Sequence, residues 1–137
     1  MHSSPDELVR SFIALLSSKN IEAAAAMVSD DFEYDNVPIG KTFGAQGLRD
    51  TLTGFFAMCE EIDWEILQQT SAGNLTEGVV LNERDDRLKI HGQWRTLPVA
   101  GVFLIRNGQL TLWRDYFDRT TLTDALSPPE TTAPPEA

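Results

Sequence analysis

The stretch VAGVFLIRNGQLTLWRDYF, residues 99–117, decides the fold class. Two apolar runs, residues 99–105 and 110–117, flank Asn107-Gly108. Both central positions of a tight two-residue hairpin need positive φ, which Asn and Gly reach at least cost, so the segment predicts two antiparallel strands. Working back along the chain, residues 62–70 and 78–89 read as further strands, with Gly73-Asn74 and His91-Gly92 as weaker turn signals. Further upstream the period becomes helical. Ser4 and Glu7 have capping-box spacing and Pro5 sits at the first helical position. Leu8, Phe12, Leu15 and Leu16 then share one face of a helix that ends near Lys19 and Asn20. An alanine-rich second helix over residues 21–28 and a third over 45–59, carrying Leu48, Leu52, Phe55, Phe56 and Cys59, complete the set. Helices first and a meander of long strands afterwards predict an α+β fold, with the helices covering the concave face of a curved sheet.

The bulk numbers set bounds on function. A chain of 137 residues, 42% hydrophobic, supports one domain with a core of its own. That domain is expected over residues 1–126. Residues 127–137 hold four of the seven prolines and read as a disordered Pro-rich tail. A net charge of −10 argues against nucleic acid and against anionic membrane surfaces as partners. No apolar run approaches the roughly 20 residues of a membrane span. The N-terminus lacks a basic region followed by an apolar stretch, and Cys59 is the single cysteine, so a cytoplasmic location is expected.

Alternation exposes the residues that carry chemistry. In VLNERDDRL, residues 80–88, positions 80, 82, 84, 86 and 88 share a face. Arg84 and Asp86 therefore lie side by side between Val80 and Leu88, while Glu83, Asp85 and Arg87 take the solvent face. Asp115 shares its face with Trp113 and Phe117, an unusual setting for a carboxylate. Pattern alone fits a structural salt bridge as well as a catalytic group, because buried ion pairs serve both ends. Stoichiometry favours chemistry. Two acids against one arginine in an apolar setting favour one retained proton, which gives a proton donor beside an acceptor at neutral pH. His2 and His91 have no ligand spacing, so no metal site is expected. Cys59 falls on the apolar face of the third helix and reads as a packing residue. Neither a phosphate-binding Gly-rich loop nor a Gly-x-Ser-x-Gly elbow occurs.

Three segments in order resemble the limonene-1,2-epoxide hydrolase family: Tyr34-Asp35-Asn36-Val37-Pro38, Glu83-Arg84-Asp85-Asp86, and Trp113-Arg114-Asp115-Tyr116-Phe117-Asp118. The resemblance runs from about Pro5 to Phe117 and includes Gly101-Val102-Phe103. It implies a nuclear-transport-factor-two-like (cystatin-like) cone: a curved, mostly antiparallel sheet with about three N-terminal helices closing a deep pocket. It implies hydrolysis of a hydrophobic small-molecule epoxide to a vicinal diol in one step, without cofactor or covalent intermediate, by a homodimer. By position, Asp86 matches the family's general acid, Asp115 the base that deprotonates water, and Arg84 the arginine between them. Tyr34 and Asn36 match the pair that holds the water. Ile13, Leu16, Phe55, Cys59, Leu88, Leu97, Val99 and Phe117 are the expected substrate-binding lining. The same cone also hosts ketosteroid-isomerase-like enzymes, polyketide-cyclase-like enzymes and non-catalytic small-molecule-binding modules, which stand as the alternatives.

Overall fold

The computed structural model describes residues 2–128, so residues 129–137, most of the expected tail, lie outside the described residues. The first helix, α1 (Pro5–Ser17), starts as its sequence dictates. The Ser4 side chain accepts from the Glu7 backbone N–H, while the Glu7 carboxylate accepts from Ser3 N and Oγ at 2.9 and 2.8 Å. The reciprocal arm of the capping box thus reaches one residue further back than expected. Leu8, Val9, Phe12, Ile13 and Leu16 form the buried stripe of α1. Lys19, at φ 60°, reverses the chain after the helix and sends its ammonium to the carbonyls of Phe56 and Cys59.

The second helix, α2 (Ile21–Ala25), ends earlier than the alanine run suggests. Leu110 donates its N–H to the Met27 carbonyl, and Val28 already pairs with Leu110, so strand pairing overrides local helix propensity here. Then follow β1 (Val28–Asn36), β2 (Gly40–Phe43), α3 (Gly44–Ala57), β3 (Glu61–Gly73) and β4 (Glu77–Ile90). The chain closes with β5 (Gln93–Arg95), β6 (Pro98–Arg106), β7 (Gln109–Tyr116) and α4 (Arg119–Leu126). The sheet has the order β2-β1-β7-β6-β4-β3, with β5 added beside β4. Every pairing is antiparallel except β1 with β7.

This is the expected α+β cone with one element more. The fourth helix, α4, has an Asp118 cap that accepts from Thr121 N at 2.8 Å, and its Leu122 and Leu126 lie one turn apart. The core lies between the sheet's inner face and α1, α2 and α3, built on Phe12, Phe32, Leu48, Leu52, Phe103 and Trp113. Among the described residues no helix is long and apolar enough to cross a membrane.

The β6–β7 turn has the conformation its sequence requires, with Asn107 at φ 51° and Gly108 at φ 77°. A Cβ on Gly108 would meet nothing within 4 Å, so an alanine there strains the backbone and nothing else. Gly108→Ala is therefore expected to lower the unfolding free energy by about 1 kcal/mol. Denaturant melts of both proteins check this, and an unchanged midpoint contradicts it.

Candidate active site

Sheet register assembles the site. One line of paired residues crosses five strands: Asn36 on β1, Asp115 on β7, Gly101 on β6, Asn82 on β4 and Gln69 on β3. All but Gly101 carry polar side chains. The neighbouring line runs Tyr34, Trp113, Phe103 and Val80. Arg84, two residues along β4 from Asn82, lays its guanidinium into the gap that Gly101 leaves.

The guanidinium is spent completely. Nε and Nη2 donate to Asp86 Oδ1 and Oδ2 at 3.0 and 2.9 Å, a two-pronged pair. Nη1 and Nη2 donate to Asp115 Oδ1 and Oδ2 at 3.2 and 2.7 Å, a second such pair. The fifth N–H, from Nη1, goes to Asn82 Oδ1 at 3.0 Å. An arginine has five donors, so none is left over. Arg84 is 1% exposed, Asp86 3% and Asp115 4%. Trp113 Nε1 adds a donor to Asp115 Oδ1 at 2.7 Å. The indole is itself held flat between Tyr34, stacked at 4.3 Å, and Phe103 at 6.1 Å. Arg84 also lies 5.7 Å from the Trp64 ring centre and 5.9 Å from that of Phe103.

Burial and charge set the protonation states. For Asp86, loss of solvent outweighs the Arg84 guanidinium, and the Asp115 charge adds to it, so its pKa is pushed up to about 6. Arg84 loses water as well, but two carboxylates more than restore its charge, and it stays a cation. Burial, reinforced by the Asp115 charge, raises the Tyr34 phenol above its ordinary value, so it remains a neutral hydroxyl. Cys59 is pushed up to about 11 by burial, which leaves a thiol rather than a nucleophilic thiolate.

A cavity of about 250 Å³ opens onto this group. Tyr34, Asn36, Asp86 and Asp115 reach its wall, while Arg84 lies behind the two carboxylates. Of the expected lining, Phe55, Leu97, Val99 and Phe117 are present. Ile13, Leu16, Cys59 and Leu88 are not. They face inward but lie deeper, packed into the core, because α1 and the far end of β4 meet there and leave no space. In their place stand Ile39, Thr51, Leu52, Met58, Trp64, Leu122 and Leu126. The cavity is thus closed by α3 and α4, not by the first helix. Ile39 and the α4 leucines follow weak sequence signals, since the β1–β2 turn and the C-terminal helix have short patterns.

The profile of the limonene-1,2-epoxide hydrolase catalytic domain matches residues 3–127. The chain belongs to the limonene-1,2-epoxide hydrolase family. As a member it is an epoxide hydrolase. It is 32% identical over 111 residues to epoxide hydrolase EphG of Mycobacterium tuberculosis, covering 80% of this chain and 70% of that protein. A solved LEH-like epoxide hydrolase from M. tuberculosis superposes with a TM-score of 0.68 at 30% identity, covering 87% of this chain and 86% of that one. A ketosteroid isomerase-like protein from Catenulispora acidiphila has a TM-score of 0.76 at 21% identity, covering 87% and 91%, a likeness of fold alone.

Gly101 also belongs to the site, although its sequence signal is slight. A glycine in a strand interior is the signal, since it marks a close approach. A Cβ there would lie 2.5 Å from Arg84 Nη1 and 2.9 Å from both Asn82 Oδ1 and Asp115 Oδ1. Gly101→Ala must therefore displace the guanidinium or Asp115. Turnover is expected to fall about a hundredfold or more through misplacement, with the far-ultraviolet circular dichroism unchanged. Full activity in this variant contradicts the geometry.

Proposed function

We propose that this enzyme adds water to a neutral, apolar epoxide in one step, with Asp86 as proton donor and Asp115 as proton acceptor. The observation that carries the reading is a pair of buried carboxylates, joined by a saturated guanidinium, on the wall of an otherwise apolar cavity. Water held by Tyr34, Asn36 and Asp115 attacks one ring carbon from the face opposite the C–O bond. Its proton passes to Asp115 as the new C–O bond forms. The ring C–O bond breaks, and its oxygen takes the Asp86 proton. The sum is a vicinal diol, with inversion at the attacked carbon. After the diol leaves, Asp115 gives up the gained proton and Asp86 recovers one, through water entering the cavity.

Each proton transfer contributes about 10²–10⁴-fold, and fixed positions contribute more. Arg84 serves this chemistry by keeping the carboxylates in one plane of donors while itself holding no labile proton near neutral pH. The lining, with Phe55, Trp64 and Phe117 among aliphatic side chains and no charge besides the two aspartates, suits a small apolar epoxide without an ionic head group. The outer face of the sheet exposes Leu81, Leu104 and Tyr116, which supports a homodimer joined through that face.

Asp86→Asn and Asp115→Asn are expected to lose at least about 10²-fold in turnover while remaining folded. Near-normal activity in either contradicts its role. A single turnover in ¹⁸O water with enzyme in excess is expected to label the diol at once; label appearing first in an aspartate contradicts direct attack. The pH dependence follows from Asp86. A donor must hold its proton, and the protonated fraction falls as pH rises through the folded value, so kcat/KM is expected to decline above about 6. A profile flat through that region contradicts Asp86 as the donor.

A further inference from the structure

We propose that Asn82 is a positioning residue for the hydrolysis, holding the Arg84 fork in register with both aspartates from behind. The inference rests on the epoxide-hydrolase reading of the site and extends it to a residue that reaches neither substrate nor water. Asn82 is 6% exposed and does not line the cavity. Its Oδ1 accepts the one guanidinium N–H that neither aspartate takes, at 3.0 Å. Its Nδ2 donates to Gln69 Oε1 at 3.1 Å. The Gln69 amide in turn donates to Asp6 Oδ1 at 2.8 Å and to the Asp6 carbonyl at 3.1 Å, in the first turn of α1. The guanidinium is thus tied through two amides to the first helix.

This arrangement fixes both the orientation and the chemistry of residue 82. The Asn82 amide is anchored on its nitrogen side, so its oxygen has a single direction in which to point. An amide supplies that acceptor without a third negative charge, which would compete with Asp86 and Asp115 for Arg84. Nη1 is hemmed in by the backbone of Gly101, where even a methyl group would lie within 2.5 Å, so no solvent molecule can take the acceptor's place from that side. Without Asn82 a buried charge-assisted donor has no partner, and the fork is free to rotate about Nε–Cζ toward a new one. Rotation that relaxes Nη1 pulls Nη2, the nitrogen shared by Asp86 and Asp115.

Asn82→Leu keeps the shape and removes the acceptor. Nitrogen-15 spectra of the arginine side chains read the fork directly, because a pinned guanidinium gives separate, slowly exchanging Nη protons. The native enzyme is expected to show resolved Nη signals for Arg84, and Asn82→Leu to lose those of Nη1. On a terpene or styrene-type epoxide the variant is expected to lose about tenfold or more in kcat, with KM changed less than threefold, since the substrate wall is untouched. Resolved Nη1 signals with native kcat overturn the proposal. So does signal loss without loss of kcat, and so does kcat loss with the signals intact. Should Asn82→Leu not fold, Gln69→Leu frees the Asn82 amide from its anchor at a partly exposed position. It is expected to broaden the same Nη1 signals and lower kcat in the same sense, and native spectra and kcat in that variant overturn the proposal. If no epoxide is turned over by the native enzyme, the epoxide-hydrolase reading fails on its own. The spectra still decide whether Asn82 holds Arg84.

Discussion

One guanidinium, cut off from water, is shared between two carboxylates, and the rest of the molecule is arranged around that constraint. Burying a charge without partners costs several kcal/mol, so Arg84 is tolerable only because all five of its N–H groups find acceptors. One positive charge cannot fully compensate two negative ones. The surplus is relieved by holding a proton on Asp86, and the wall of the cavity gains an acid at a pH where an ordinary aspartate has none to give. On the proposed mechanism, the same feature that makes the core expensive supplies the proton donor.

Holding such a group demands a rigid frame, and the sheet supplies it. Asp115, Gly101 and Asn82 stand opposite one another on three adjacent strands, so a slip of one residue in any pairing would turn the set to the outer face. Trp113 ties this polar line to the aromatic line beside it: its N–H fixes Asp115 while its ring stacks on Tyr34 and Phe103. Packing energy is thereby converted into aim. The helices divide the remaining work. The first fills the core beneath the site, while α3 and α4 line the cavity over it.

Much of this was legible in the chain. Period-two alternation put Arg84 and Asp86 on the buried face and Glu83 and Asp85 on the other, and the Asn107-Gly108 turn announced the antiparallel β6–β7 pair. A bulge between Leu104 and Ile105, which no turn signal reports, sets the register that brings Asp115 opposite Gly101. What escaped reading has physical reasons. Leu16 and Leu88 share the inward face with true lining residues, but alternation reports only the side of the sheet, and depth along the cone depends on how helices pack. The α2 boundary moved because β7 captured Met27. The helix α4 went unread because eight residues with two spaced leucines make a weak periodic signal. The Asn82–Gln69 link joins residues thirteen apart through a register that contains a bulge between Ile66 and Gln68, so spacing along the sequence does not place it.

In the unliganded site Asp86 keeps its proton well above the ordinary carboxylate range. Carbon-13 NMR of the aspartate side-chain carboxyls across a pH series reads this without substrate. The Asp86 resonance is expected to titrate over an interval centred at about 6. An Asp86 carboxyl that titrates near its ordinary value, and stays ionised through that interval, would contradict it.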